Sequence, residues 1–231
     1  MKSIILCATL AGILTTTADA ANIIWGSPTT ISGATDVSTL GNYFGSWAPY
    51  NGSANTAPVN GVTFQGFSDL PSLSGTFDNG YDGFNSPGTA DNNYNSLLKY
   101  ATFANNTTAN TFSWGGMTPG NTYLVEFWVN DARNISQSRS LTLSGGIDTS
   151  GVLSYGSDGS GPGQFIIGQF VADLSGSETL TVTPFSSGAN PSAQVNLFQV
   201  RDITIVPEPS SLALLAAGAV LFVLRRKSSA S

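Results

Sequence analysis

Histidine is absent from the chain, and cysteine occurs once, as Cys7. Without histidine, Ser-His and Cys-His catalytic pairs and the usual zinc sites are excluded. Cys7 lies in an N-terminal segment that we expect to be removed, so the mature protein would have no disulfide even in an oxidising compartment. Its stability must therefore come from side-chain packing, with a bound ion as a further source that is left open.

Charged side chains are also scarce, at 10% of the 231 residues. Residues 21–206 contain twelve acidic side chains and only four basic ones, which are Lys99, Arg133, Arg139 and Arg201. Because phosphate binding requires a basic surface, this composition excludes a nucleic-acid partner. An acidic exterior is compatible with solubility and with divalent cations.

The first twenty residues have the three-part pattern of a secretory signal peptide. A basic start at Lys2 precedes the apolar run 4–14, and Ala18 and Ala20 form a small-residue cleavage site. The apolar run is shorter than the roughly 20 residues that a membrane-spanning helix needs. We therefore predict export, with cleavage after Ala20 and Ala21 as the new N-terminus.

The C-terminal segment 207–231 has three parts of its own: a Pro-Glu-Pro entry, an apolar run and a basic end. The prolines cannot continue a strand, and a proline suits the first turn of a helix, so a hydrophobic helix is expected to follow. The apolar run 212–224 has 13 residues, and as a helix it would be about 20 Å long, shorter than a hydrocarbon core of about 30 Å. Three basic residues follow and are expected to stay cytoplasmic: Arg225, Arg226 and Lys227.

These residues resemble the PEP-CTERM sorting signal of Gram-negative bacteria. Pro207, Glu208 and Pro209 match its motif, and the apolar run and basic end follow in the family's order and spacing. The resemblance implies recognition by an exosortase, a transpeptidase-like membrane enzyme thought to cut near this motif during delivery to the cell surface or matrix. It also implies association with exopolysaccharide and biofilm. Whether the tail is cleaved or stays in the cytoplasmic membrane as an anchor is left open.

Between the two ends, apolar residues occur in short runs separated by turn residues, without helical periodicity. The run 122–130 is predicted as a central strand because one face repeats at period two, with Tyr123, Val125, Phe127 and Val129. Its other face is also expected to be partly covered. Further strands are predicted at 62–67, 96–103, 111–114, 140–143, 164–171, 178–183 and 194–205.

Many short strands with frequent turns predict one all-β domain over residues 21–206, an antiparallel β-sandwich or jelly roll. A β-helix or stacked solenoid is the rival, but the sequence shows no fixed-period repeat. Residues 34–58, rich in glycine, asparagine and aromatic residues, are predicted as a loop over one end of the sandwich. From residue 124 onward, the order of a long aromatic strand, a Gly-rich hairpin region and a last strand resembles galactose-binding-like sandwiches of envelope proteins.

A loop rich in aspartate, asparagine and glycine offers a candidate calcium site. Its hard oxygen ligands would come from Asp78, Asp82, Asn85 and Asp91. Calcium takes six to eight such ligands, and a flexible loop can supply carboxylates and backbone carbonyls together. The spacing does not match an EF-hand, and the same residue types form ordinary turns. Both interpretations stay open.

Two groups of residues are candidates for glycan binding. Asp131 and Arg133 follow the central strand and Arg139 opens the next one, and a carboxylate flanked by guanidinium groups could orient sugar hydroxyls. Trp47 and Tyr50 lie in the predicted loop, where a sugar ring could stack on them. The alternatives are an ordinary ion pair that closes the strand end and core aromatics that hold the loop down.

Our first functional hypothesis is a non-catalytic surface or matrix protein that sits among or binds extracellular polysaccharide. The second is a glycan-acting hydrolase, which needs two opposed carboxyl groups. Glu126 and Asp131 are five residues apart along a strand, so they should lie on opposite faces. The third is an ice- or surface-binding adhesin, which would favour flat, regular arrays of threonine. The threonines show no regular x-Thr-x spacing, which does not favour this hypothesis.

Overall fold

The computed structural model describes residues 21–48, 58–66, 74–75, 77, 79–104, 108–185 and 192–205. Strands are the main secondary structure of these residues, with one short α-helix. In chain order the elements are β1 (Ile24–Trp25), β2 (Thr29–Thr30), a 3-10 turn (Ala34–Asp36), β3 (Asn42–Ala48), β4 (Gln65–Gly66), β5 (Ser74–Gly75), β6 (Asn79–Tyr81), α1 (Asn92–Leu97), β7 (Ala101–Ala104), β8 (Asn110–Gly115), β9 (Thr122–Val129), β10 (Ser140–Gly145), β11 (Asp148–Thr149), β12 (Leu153–Ser154), β13 (Gln164–Val171), β14 (Ser177–Pro184), β15 (Ala193–Val195) and β16 (Leu197–Asp202).

Seven strands form the large sheet, with the order β1-β13-β9-β16-β3-β4 and β2 also paired with β13. Its pairs are antiparallel except β3 with β4. The second sheet has the order β11-β10-β14-β8-β5, with β12 also paired with β10, and the small sheet has the order β15-β7-β6. The antiparallel β-sandwich expected from the sequence is therefore confirmed.

The large and second sheets pack face to face around an aromatic core. Tyr123 and Phe127 of β9 point into this core, as the period-two pattern predicts. Phe198 of β16 lies 5.0 Å from Phe112 and 4.9 Å from Trp114, measured between ring centroids. Such edge-to-face contacts contribute about 0.5–1.5 kcal/mol beyond the burial of area.

The opposite face of β9 is also buried, against a second apolar cluster. Trp128 is fully buried, and its ring meets Phe64 edge-on with the centroids 6.0 Å apart. Helix α1 contributes Tyr94 and Leu97 to this cluster. Asp91 caps the helix by accepting a hydrogen bond from the Tyr94 amide at 2.8 Å. The central strand is thus covered on both faces.

Two of the predicted strands differ from the structure in their extent. The sequence predicts one strand over 96–103, but α1 ends at Leu97 and β7 begins only at Ala101. A capped helix that buries its apolar side against the sheet is the more stable local structure there. The strand predicted over 194–205 is divided at the buried Asn196, whose side chain bonds to backbone carbonyls of other segments.

The predicted loop over 34–58 contains a strand of the large sheet, β3, so this prediction is wrong for its middle part. β3 pairs antiparallel with β16 across five residue pairs. A Cβ at Gly45 would overlap the indole of Trp47, so the glycine there makes room for that ring. Trp47 in turn stacks on Phe198 at a centroid distance of 5.1 Å. Glycine serves close packing here, not a turn.

Three polar side chains hold the strap, which we define as residues 37–41, against the large sheet. Glu126 accepts a hydrogen bond from the Ser38 amide at 3.1 Å, and Gln199 donates both to Glu126 and to the Ser38 carbonyl. Arg201 donates to three carbonyls at 2.6–3.1 Å, those of Thr39, Leu40 and Gly41. Glu126 has no exposed surface, and its burial raises its pKa to about 7.

The outer side of the second sheet carries a hydroxyl face, defined by three cross-strand pairs: Thr142 with Thr183, Ser144 with Thr181, and Ser113 with Thr179. None of these positions is charged. The β14 threonines alternate with the buried residues Leu180 and Val182. The sequence-based statement that threonines lack regular spacing is therefore wrong for β14.

We predict that Glu126 makes the protein less stable as the pH rises from about 4.5 to about 7. In this window the folded protein keeps a proton that the unfolded chain has lost, so the free energy of unfolding falls with rising pH. The raised pKa corresponds to a loss on the order of 3 kcal/mol. Urea unfolding at several pH values should show a flatter profile for Glu126→Gln, because Glu178 titrates equally in both proteins. Superimposable profiles would refute the assignment.

Candidate functional site

The chain turns sharply where β9 ends, and this turn places the candidate site. The amides of Asp131 and Ala132 both donate to the carbonyl of Tyr155, at 2.8 and 3.3 Å. Ala132 adopts a left-handed conformation with φ of 48°, which is uncommon for a residue other than glycine. The turn directs Arg133 back toward the side chain of Asp131.

Asp131 is fully buried and is shared by two guanidinium groups. Arg133 forms a bidentate ion pair with it through Nε and Nη2, and Arg139 Nη1 lies 3.4 Å from its Oδ2. A buried carboxylate is stable only when it is paired and hydrogen-bonded in this way. The sequence-based interpretation of a carboxylate flanked by the guanidinium groups of Arg133 and Arg139 is consistent with this geometry.

Two aromatic rings support the Arg133 guanidinium. Its Cζ lies 4.9 Å from the centroid of Tyr81 and 4.8 Å from that of Phe84, within cation–π distance. Nη1 of Arg133 also donates to the Tyr81 hydroxyl at 3.2 Å. The hydrogen bond to Asp131 raises the pKa of Arg133 further, so this group is always charged.

These groups line the arginine recess, a cavity of about 190 Å³. Its walls are Tyr81, Phe84, Phe103, Arg133, Arg139, Ser192 and Gln194. Nε of Arg139 is buried and has no hydrogen-bond partner among the described residues. No carboxyl side chain is among the lining residues. The recess therefore presents positive charge beside an aromatic wall.

A network of buried amide side chains fixes the recess, and the sequence patterns did not reveal it. Asn130 donates to the carbonyls of Asn85 and Leu98 at 2.9 and 3.0 Å. Gln194, which lines the recess, donates to the Asn130 carbonyl at 2.9 Å, as Asn196 does at 3.0 Å. These bonds join β15 of the small sheet to the end of β9. Apart from the Asn130-Asp131 step, no short motif marks these residues.

The structure separates the calcium candidates into different local roles. Asn85 donates its side-chain amide to the Ala132 carbonyl at 3.2 Å, Asp91 caps α1, and Asp82 is exposed. Asp78 lies outside the described residues. Within the described part of the chain, no group of three or more acidic, histidine or cysteine side chains is placed to hold a metal. A calcium site stays a prediction.

The structure does not present Trp47 as a sugar platform. Only 5% of Trp47 is exposed, because its ring belongs to the core between the sheets. This is a correction to the glycan-stacking candidate, whereas Tyr50 lies outside the described residues. Tyr43, from the same aromatic segment, is half exposed and lines a different cavity.

That second cavity, of about 510 Å³, lies beside the strap. It is lined by Thr39, Tyr43, Asn60, Gly61, Val62, Thr63, Gln65 and Arg201. Arg201 is buried there, held by the strap carbonyls, and its pKa is lowered by burial. Within the described ranges no carboxylate lies within ion-pair distance of it. The arginine recess lies just after the end of β9, whereas Arg201 pairs with Leu124 near the start of β9. The two cavities therefore lie toward opposite ends of this strand.

Residues 206–227 match the PEP-CTERM protein-sorting motif, which confirms the interpretation of the tail. The chain is therefore an exported protein that is sorted to the cell envelope or surface by an exosortase. The motif, with Pro207, Glu208, Pro209 and the basic end, lies outside the described residues, as do Ala18 and Ala20. None of the helices that the structure does describe is long and apolar enough to cross a membrane.

Two solved structures resemble the described fold. One is Bacteroides uniformis beta-glucuronidase 2 covalently bound to cyclophellitol-6-carboxylate aziridine, with 14% identity, a TM-score of 0.47, and coverage of 69% of this chain and 18% of that chain. The other is the extracellular domain of ANXUR1 from Arabidopsis thaliana, with 11% identity, a TM-score of 0.45, and coverage of 82% and 52%. The chain thus spans only part of either solved protein. A search of curated proteins gives no match.

Proposed function

We propose that this protein is a non-catalytic component of the cell surface or extracellular matrix that binds acidic polysaccharide in the arginine recess. The observation that carries the proposal is the pair of guanidinium groups that share one carboxylate beside two aromatic rings. Arg133 and Arg139 supply two positive charges and Asp131 one negative charge. The recess is therefore cationic within a strongly acidic domain.

The dimensions and walls of the recess favour one acidic sugar residue. A volume of about 190 Å³ is below the roughly 300–1,000 Å³ of sites for drug-sized ligands, so the recess suits a chain end or a single side residue. The carboxylate of a uronic acid would meet Arg133 and Arg139, because guanidinium groups bind carboxylates with matched geometry. The sugar ring would then lie against the ring of Phe103, beside the side-chain amide of Gln194.

The positions of the carboxyl groups support binding in preference to hydrolysis. Hydrolysis by the usual route needs two carboxyl groups that flank the glycosidic bond. Glu126 is buried beneath the strap, and both oxygens of Asp131 are engaged by arginines. Among the residues described, no carboxyl group lines either the recess or the second cavity. The hydrolase alternative predicts release of reducing sugar, which would overturn the non-catalytic assignment.

Sorting by the tail would deliver the sandwich to the place where such a polymer occurs. The tail would contact the cytoplasmic membrane during processing and would be cut near Pro207-Glu208-Pro209. Its apolar run of 13 residues is short for a lasting anchor, which supports removal of the tail. The mature sandwich would then act within the extracellular polysaccharide.

Replacement of Arg133 by glutamine should weaken binding of glucuronate-containing oligosaccharides by about tenfold, the effect of a loss of about 1.4 kcal/mol. Isothermal titration with the oligosaccharide and with its carboxyl-reduced form measures this loss, and the reduced form should bind weakly to both proteins. Lys99→Gln is the matched control, because it removes the same charge from an exposed side chain outside the recess. Equal losses in the two variants would indicate general charge attraction and refute the site.

A second candidate function is adhesion to an ordered solid, which the hydroxyl face favours. Its cross-strand partners lie about 5 Å apart, and successive outward residues along one strand lie about 6.8 Å apart. The hydroxyls of Ser113 and Thr179 bond to each other at 2.8 Å, which fixes their orientation. Such an uncharged array is suited to hydrogen bonding with a flat lattice of water or hydroxyl groups.

Thr179→Lys should abolish adsorption to ice if the hydroxyl face is an adhesive surface. Thr179 is exposed, so the substitution should change the stability by no more than about 0.5 kcal/mol. Ice recrystallisation assays would measure the effect, with Thr29→Lys on the large sheet as a control that should leave it unchanged. No activity of the unmodified protein in this assay would eliminate the second candidate.

A further inference from the structure

The first described residues lie inside the sandwich rather than on its surface. Ala21 is 8% exposed and Ile23 is fully buried, and both belong to the core between the large and second sheets. The Ile23 amide donates to the Gly145 carbonyl at 3.2 Å. The Asn22 side chain donates a hydrogen bond to Asp148 and accepts hydrogen bonds from the backbone amides of Ile147 and Asp148, where β10 turns into β11. The position of Ala21 is therefore well fixed.

Glu178 of β14 is buried beside Ala21 without a positive partner. It is 1% exposed and faces the core, across from Trp114. Its Oε1 accepts a hydrogen bond from the Thr179 amide at 3.0 Å, and the Ala21 amide also lies within hydrogen-bonding reach of the carboxylate. Its Oε2 is buried and has no hydrogen-bond partner among the described residues.

No cation of the described part of the chain compensates Glu178. The ion pairs there both use Asp131, and the charged side chain that acts on Glu178 is Asp173, which has the same sign as the glutamate. Burial raises the pKa of Glu178 to about 7. The charged form of a buried carboxyl group is destabilising without a counter-charge, so a cation placed beside Glu178 would stabilise the fold.

We propose that removal of the leader between Ala20 and Ala21 creates this partner, so that the α-ammonium group of Ala21 pairs with Glu178 inside the sandwich. A peptidase would hydrolyse the Ala20–Ala21 bond: water supplies a hydroxyl to the Ala20 carbonyl carbon and a hydrogen to the Ala21 nitrogen. The released amine then takes up a proton from solvent. One neutral N–H donor next to Glu178 becomes a positively charged group with three.

The geometry makes the pairing specific to one cleavage position. The backbone amide of Ala21 is a hydrogen-bond donor to the Glu178 carboxylate, so the ammonium group would form at the position of this donor. A start one residue earlier would move the charge by about 3.5 Å. The precursor would fold with an uncompensated glutamate, and leader removal would stabilise the sandwich.

The test compares the mature chain that begins at Ala21 with the same chain carrying one extra glycine before Ala21. Thermal unfolding at pH 7 should give a melting temperature several degrees higher for the Ala21 start. In the Glu178→Gln background, the two starts should melt at the same temperature. Equal melting temperatures with Glu178 present, or a difference that persists in Glu178→Gln, would overturn the proposal.

Two further measurements do not depend on stability. N-terminal sequencing of the exported protein should give Ala21, and any other start would contradict the proposal. Titration of the ¹⁵N-labelled Ala21 amine by NMR should give a pKa above the roughly 7.7–8.0 of an exposed α-amine. In Glu178→Gln this value should fall to the exposed range. An exposed value in the unmodified mature protein would show that no ion pair forms.

Discussion

Burial of both faces of β9 is the constraint on which the other features of the structure depend. One face packs in the aromatic core between the sheets, and the other packs under α1 with Trp128 at its centre. Because β13 and β16 flank β9 in the sheet, its backbone is also paired on both sides. A strand in this environment must be apolar on both faces, and Glu126 is the exception that requires the polar contacts of the strap.

The same strand explains why rare cations lie at the two cavities. Residues 21–206 contain four basic side chains, and three of them are placed at the ends of β9 or next to it. Arg133 and Arg139 share Asp131 just after the strand, and Arg201 lies across from Leu124 near its start. With so few cations, the domain is acidic nearly everywhere else, and the α-ammonium group of a mature N-terminus becomes a significant additional charge.

The sequence was sufficient where the physical signal is local. Alternation and turn residues predicted β9 and β13 within one residue of their observed ends, together with the sandwich class. It was insufficient where the cause is tertiary. β3 does not alternate clearly, because Gly45 accommodates Trp47 and the strand is specified by pairing with β16. Asp131, Arg133 and Arg139 were identified from their positions around the end of the central strand, but Gln194 joins them only through the folded chain.

Native-state hydrogen exchange of the β9 amides tests most directly the claim that β9 is the buried centre of the structure. If β9 is buried on both faces and paired on both edges, the amides of Val125, Phe127 and Trp128 should exchange only by global unfolding. Their exchange free energies should then equal the unfolding free energy measured with denaturant. Exchange from β9 as fast as from the edge strand β1 would contradict the central position of this strand.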